Sequence, residues 1–175
     1  MESITSLEQL HHNLTMGPGY EGYTELVKAI DLPRAEYQHL LKWSKAHYQR
    51  IRFYDTDCLE ALITCWEPGQ IGKIHNFEGA NGWVKVLEGS LELEHFNLDN
   101  SAEKPSLTKT FKTGEIGFLN DGLGFHRFNN PTQERGVALF FYADKIDQWQ
   151  VYDPNQKKAE KVEAKVDFNL DRISS

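Results

Sequence analysis

Cysteine is scarce: the chain has 175 residues and two cysteines, Cys58 and Cys65. That excludes a disulfide framework and the paired Cys-x-x-Cys arrangement of structural zinc sites. Positive charge is also short. Lys and Arg number 19 against 26 Asp and Glu, a net charge of −7, which argues against nucleic acid or an anionic membrane as partner, since both need a basic patch. No apolar run approaches the ~18 residues of a membrane span. The opening MESITSLEQLHHN lacks a basic region followed by an apolar block, so no signal peptide is expected. The Gly-x-Ser-x-Gly elbow of hydrolases and the Walker phosphate loop are missing, and the scattered acidic residues form no dyad for glycoside chemistry. These absences point to a cytoplasmic protein whose cysteines are free thiols.

Enough apolar material remains, 39% hydrophobic and 12% aromatic, to build one domain. The first third reads as helical. Ser6 is a candidate N-cap with Gln9 three residues on. The breaker cluster MGPGYEG separates this helix from a second one at 23–30. Pro33 then begins a third, expected over 34–46, burying Leu40, Leu41 and Trp43.

From Tyr48 the texture changes. Seven runs rich in β-branched and aromatic residues follow, among them YQRIRFYD, LEALITCWE, GWVKVLEGSLELEHF and GVALFFYA. Regularly spaced short strands of this kind predict an all-β sandwich or barrel. The expected organisation is a helical segment at 1–47 packed on a β-barrel at 48–153. A charged tail at 154–175 is either a last edge strand or frayed.

Two clusters carry chemistry. In the first, CWEPGQIGKIHNFEGANGWVKVLEG, Gly69 precedes His75 by six residues and Gly89 follows it by fourteen. In the second, GEIGFLNDGLGFHRFNN, His126 stands four residues before Asn130. This pairing resembles the two motifs of the cupin superfamily, and the match is closer still to the cysteine dioxygenase family. The resemblance rests on Tyr48-Gln-Arg50, Cys65-Trp66 with Gly69, Ile74-His75, Lys85 to Gly89, Asn120-Asp121 with Gly124 to Arg127, and Val137 to Tyr142. It covers about Tyr48 to Asp153.

The resemblance implies a small cupin-type barrel (a jelly roll) around a mononuclear iron(II) site that oxidises cysteine, or a related small thiol, with O2 to the sulfinate. By position, His75 and His126 match two of three histidine ligands. Arg50 matches the residue that anchors the substrate carboxylate, with Tyr48 beside it. Tyr142 matches the active-site tyrosine, and Gly82 falls where some members carry a cysteine cross-linked to it. Phe77 stands where the remaining histidine ligand is expected, and a phenyl ring has no lone pair for iron. A bulge at Glu78-Gly79 would turn the Glu78 carboxylate inward as a substitute. The Ser-x-His-x-Tyr relay of the family reads Ala138-Leu-Phe140-Phe-Tyr142.

Beside these readings stand plainer ones. Tyr142, Phe77 and Phe140 also suit a barrel core, and Arg50 a surface cation. His11, His12, His39, His47 and His95 lie outside the motifs and read as surface or structural residues. Cys65 reads as a small buried hydrophobe. Two functions therefore stay open: a thiol dioxygenase, or a non-catalytic cupin that binds a small carboxylate. A different cupin chemistry, such as isomerisation, is a third.

Overall fold

The computed structural model describes residues 2–77, 80–98, 104–120, 122, 124–144 and 146–170. Ser6 caps the first helix as its sequence suggests: its Oγ accepts from the N–H of Gln9 at 3.1 Å, and α1 runs over Leu7–Met16. Helix α2 follows at Gly22–Ala29.

The third helix departs from expectation. Helix α3 covers only Arg34–Tyr37 and tightens into a 3₁₀ turn at Gln38–Leu40, after which Leu41 is extended. The polar groups of the next residues are engaged elsewhere. Ser44 O accepts from Gln70 Nε2 at 2.8 Å, Ser44 Oγ accepts from Ala46 N at 3.2 Å, and the Arg135 guanidinium lies 4.3 Å over the Trp43 ring. Tertiary contacts here override local helix propensity.

Among the described residues twelve strands follow. They are β1 (Gln49–Asp55), β2 (Leu59–Trp66), β3 (His75–Asn76), β4 (Asn81–Glu88), β5 (Ser90–Phe96) and β6 (Leu107–Lys112), then β7 (Ile116–Leu119), β8 (Phe125–Asn129), β9 (Gly136–Ala143), β10 (Gln148–Asp153), β11 (Lys158–Glu163) and β12 (Phe168–Asn169). The seven runs of the sequence divide where glycine lets the chain bend. Gly89 separates β4 from β5 with φ +71°, and a Cβ there would sit 2.6 Å from Arg135 O. Any side chain at this corner both strains the backbone and collides. The charged tail supplies β11, which pairs with β10 at a sheet edge, and β12, which runs parallel to β1.

The strands form two six-stranded sheets. One has the order β12-β1-β2-β9-β4-β7, the other β11-β10-β3-β8-β5-β6. Between them Leu62, Val84, Val86, Leu91, Leu93, Phe128 and Phe140 form one buried cluster. The outer face of the first sheet packs Ile51, Ile63, Leu139 and Phe141 under Leu10, Leu26 and Val27 of the helices. Trp83 Nε1 donates to Thr24 Oγ1 at 2.9 Å, and the Lys85 ammonium donates to Lys28 O at 3.0 Å, a cation placed where the last carbonyls of α2 need donors. Among the described residues no helix is long and apolar enough to cross a membrane.

Candidate functional site

His75 and His126 face each other. They are direct partners across β3 and β8, their ring centroids lie 4.6 Å apart, and they are 7% and 1% exposed. Directly opposed residues on paired strands share a face, and here that face is the interior. In each ring Nδ1 is bonded to a backbone carbonyl two residues back: Lys73 O at 2.8 Å for His75, Gly124 O at 2.9 Å for His126. A carbonyl only accepts, so each Nδ1 carries the proton and each Nε2 carries a lone pair. The Nε2 of His126 is buried and has no hydrogen-bond partner among the described residues.

Burial also keeps both rings neutral. Desolvation lowers the His75 pKa to about 4, helped by the nearby Arg50 charge and opposed by the Lys73 carbonyl. Desolvation again, then His75 and His95, hold His126 well below the usual imidazole value. Neutral imidazoles with Nδ1–H tied to carbonyls are the form in which histidine binds metal.

Arg50, Tyr48 and Tyr142 line the same pocket as His75, with Trp66, Phe140 and Trp149. Strand β1 buries Arg50, whose Nη1 donates to Lys165 O at 2.7 Å while its guanidinium lies 4.6 Å over Trp149. This is not a surface cation. Tyr48 stacks on Trp66, with centroids 3.9 Å apart and planes at 2°. Tyr142 is 5% exposed, and desolvation raises its phenol pKa, so it is a neutral O–H at neutral pH. Ala138, Phe140 and Tyr142 share the interior face, as alternation along β9 requires. Gly82 pairs with Tyr142 across β4 and β9, and a Cβ at 82 would lie 3.0 Å from Tyr142 Cδ1. The cavity volume is about 20 Å³, room for a water. A ligand of amino-acid size therefore enters only by moving a wall, and Tyr48 and Trp149 are half-buried walls.

Phe77 is 2% exposed and packs edge-on against His126 at 5.0 Å and against Tyr142 at 5.4 Å. Glu78 lies outside the described residues. Among the described residues, no three histidine, cysteine or carboxylate groups stand close enough to hold a metal as placed. Two imidazoles do fit adjacent positions on a transition metal: at about 2.1 Å from each nitrogen, two ring centres sharing an ion lie roughly 5 Å apart.

Asn130 belongs to the scaffold. Fully buried, it donates to Glu134 O at 2.7 Å and accepts from Thr132 N and Oγ1, tying the 130–134 turn to the end of β2. Two residues escaped the sequence reading. Trp149 carries Arg50, and its alternation with Val151 along β10 was the available signal. His95 read as surface or structural, yet it lies opposite His126 across β8 and β5 with ring centroids 6.5 Å apart. It shares the interior face of Leu91 and Leu93, and the Leu-x-Leu-x-His pattern of β5 already says so.

Two facing sheets with a buried histidine pair on inner strands define a jelly-roll cupin. Solved structures of the same fold include an uncharacterised conserved protein with a double-stranded beta-helix domain from Klebsiella pneumoniae (TM-score 0.56, 15% identity, 66% of this chain and 93% of that one). Another comes from Thermus thermophilus (TM-score 0.52, 18% identity, 61% and 92%). The family model for cysteine dioxygenase type I matches residues 20–155, and the chain belongs to that family. Relatives include cysteine dioxygenase type 1 of Rattus norvegicus, 23% identical over 167 residues, and of Homo sapiens, 22% identical; each alignment covers 91% of this chain and 84% of the relative.

Proposed function

We propose that this protein is a thiol dioxygenase of the cysteine dioxygenase type, acting on cysteine or another small thiol carboxylate. The overall reaction adds both atoms of O2 to the thiol sulfur and releases the thiol proton, giving the sulfinate. His75 and His126 would hold iron(II), which when bound supplies the activation of O2 for this addition. The observation that carries the reading is a facing pair of neutral, inward imidazoles: His75 lines one pocket with the buried arginine, and His126 beside it has a buried Nε2 with no hydrogen-bond partner among the described residues.

Each remaining role belongs to the chain's own residues. Arg50 spends one N–H on Lys165 O and keeps others for a carboxylate, its plane fixed by Trp149. Tyr48, stacked on Trp66, walls the pocket. Tyr142 stays protonated and offers a hydrogen bond without adding charge. Phe77 and Phe140 exclude water from the imidazoles.

The test is iron content after anaerobic loading with Fe(II), then an oxygen-electrode trace with cysteine. We expect close to one iron per chain and O2 uptake matched by sulfinate. Arg50→Ala should lower kcat/KM at least about 10-fold, chiefly through KM, because a buried charge-assisted pair is lost.

A second reading is favoured by Phe77, buried where it adds no ligand, and by the small cavity: a non-catalytic cupin that binds a small carboxylate. It requires absent O2 uptake together with a rise in Tm on adding cysteine or a short carboxylate, independent of metal. That result would displace the dioxygenase reading.

A further inference from the structure

Beyond β11 the chain crosses from the second sheet to the first. Ala164 N donates to Asp147 O at 2.9 Å just before β10, and β12 then runs parallel to β1, with Phe168 beside Ile51. Ala164 is buried in the cluster between the sheets, and Val166 packs against it. The crossing passes Arg50, whose guanidinium reaches from β1 to Trp149 on β10. The family model ends at residue 155, so this crossing lies past the matched part.

One side chain of the crossing grips the start of β1. Asp167 Oδ2 accepts from the backbone N–H of Arg50 at 2.8 Å, and Asp167 N donates back to Arg50 O at 2.9 Å. Its other oxygen, Oδ1, accepts from His47 Nε2 at 2.8 Å. The carboxylate therefore brackets Tyr48 between residues 47 and 50. Two residues before Asp167, Lys165 O accepts from Arg50 Nη1 at 2.7 Å. One short stretch of chain thus holds the Arg50 backbone and one edge of its guanidinium. On its other side β1 is held by β2, where Gln49 pairs with Cys65 and Arg50 with Thr64. The side chains of Asp167 and His47 are 26% and 59% exposed. Solvent screens that ion pair, so the bonds to Arg50 carry most of the effect. An arginine side chain has much rotamer freedom to lose on binding, and ordering it beforehand lowers that cost.

We propose that Asp167 is a positioning residue for the substrate carboxylate: by clasping β1 at Arg50 and setting Lys165 O against the guanidinium, it preorganises Arg50 and Tyr48. Asp167 acts through these two residues and lines no part of the pocket itself. The inference rests on Arg50 as the carboxylate anchor, as read above, and deepens that reading by naming what holds the anchor in place.

Calorimetric titration of the Fe(II)-loaded full-length protein under argon, where no turnover occurs, tests it with two thiols. One is cysteine; the other is cysteamine, which lacks only the carboxylate. Asp167→Ala should weaken cysteine binding by about 10-fold, the effect of one charge-assisted hydrogen bond, and cysteamine binding by less than about 2-fold. Asp167→Asn, which keeps an acceptor for the Arg50 N–H, should retain cysteine affinity to within about 3-fold. In an Arg50→Ala background, Asp167→Ala should add no further loss, because the two residues act through one contact. Unchanged cysteine affinity in Asp167→Ala would overturn the role of Asp167 and leave the thiol dioxygenase reading standing. An equal loss for both thiols would overturn it too, since that marks general disruption. A loss confined to cysteine, in a protein that takes up no O2 in air, would support the clasp and overturn the dioxygenase reading. No cysteine binding by the unmutated protein would overturn both. Should Asp167→Ala fail to fold by circular dichroism, Asp167→Ser, whose hydroxyl is too short to span His47 and Arg50, is held to the same criteria.

Discussion

The two sheets divide the work of the molecule. In the first, all eight residues of β2 and seven of the eight in β9 are buried, because one face meets the other sheet and the other lies under helices. In the second, β5 and β8 alternate: their inner residues are core or histidine, and their outer ones meet water or one another. Most polar groups of the candidate site stand on the second sheet or reach across to it from the edge of β1. A sheet packed on both faces gives a rigid wall with little room for solvated chemistry. The single-sided sheet can carry imidazoles inward while its exposed face keeps each strand in register.

The largest test of this contrast is one substitution made on both outer faces. Phe141 is 0% exposed beneath the helices, whereas Phe125, on the outside of β8, is half-buried beside Tyr152 at 6.1 Å. Phe141→Ala should cost about 3–5 kcal/mol in urea unfolding. Phe125→Ala should cost about 1–2 kcal/mol, because much of its ring already meets solvent. Equal losses would mean that something in solution covers the second sheet as the helices cover the first.

The same division governs what the sequence reveals. Continuous apolar runs such as LITCW and VALFFY announce the strands of the first sheet, and an all-β sandwich or barrel follows from their number and spacing; the jelly-roll class came from the resemblance of the two motif clusters. The second sheet is harder to read. Strand β3 is two residues long, and His75 is its first residue, too short for any periodicity. The facing of His75 and His126 came through because motif spacing encodes it. The facing of His126 and His95 did not, since it depends on the register of β5 against β8, two strands separated in the chain by β6 and β7. The third helix failed for a related reason: side-chain contacts from Gln70 and Arg135, distant in sequence, engage Ser44 and Trp43, and the chain leaves the helix at Leu41.

A second prediction uses proton linkage within the packed sheet. Cys65 is 1% exposed, and desolvation raises its thiol pKa from 9.0 to about 11. The folded state thus disfavours the thiolate, which the unfolded chain forms freely. Its contribution to stability is intact below pH 9, falls as pH rises from 9 to 11, and then levels off. The loss amounts to about 2–3 kcal/mol. Cys65→Val, which keeps an apolar group of similar size, should flatten this limb in urea titrations at stepped pH. An unchanged alkaline limb in that variant would place the titrating group elsewhere, with the buried tyrosines next in line.

The smallest effect belongs to the outer face of the second sheet. Glu94 Oε2 accepts from Arg127 Nε at 2.5 Å and from Asn129 Nδ2 at 2.7 Å, linking β5 to β8 on the outer face behind His126. The Arg127 side chain is 26% exposed, so solvent reaches the guanidinium and screens part of the pair's Coulomb energy. Glu94→Gln keeps the shape and an acceptor, and should cost about 1 kcal/mol or less, shrinking further in high salt. Because Glu94 lies on the outer face, away from His126, iron content after Fe(II) loading should not change. A cost near that of Phe141→Ala would show that this outer face is effectively buried. A lost metal affinity at unchanged stability would show that the β5–β8 register, not burial, holds the imidazoles in line.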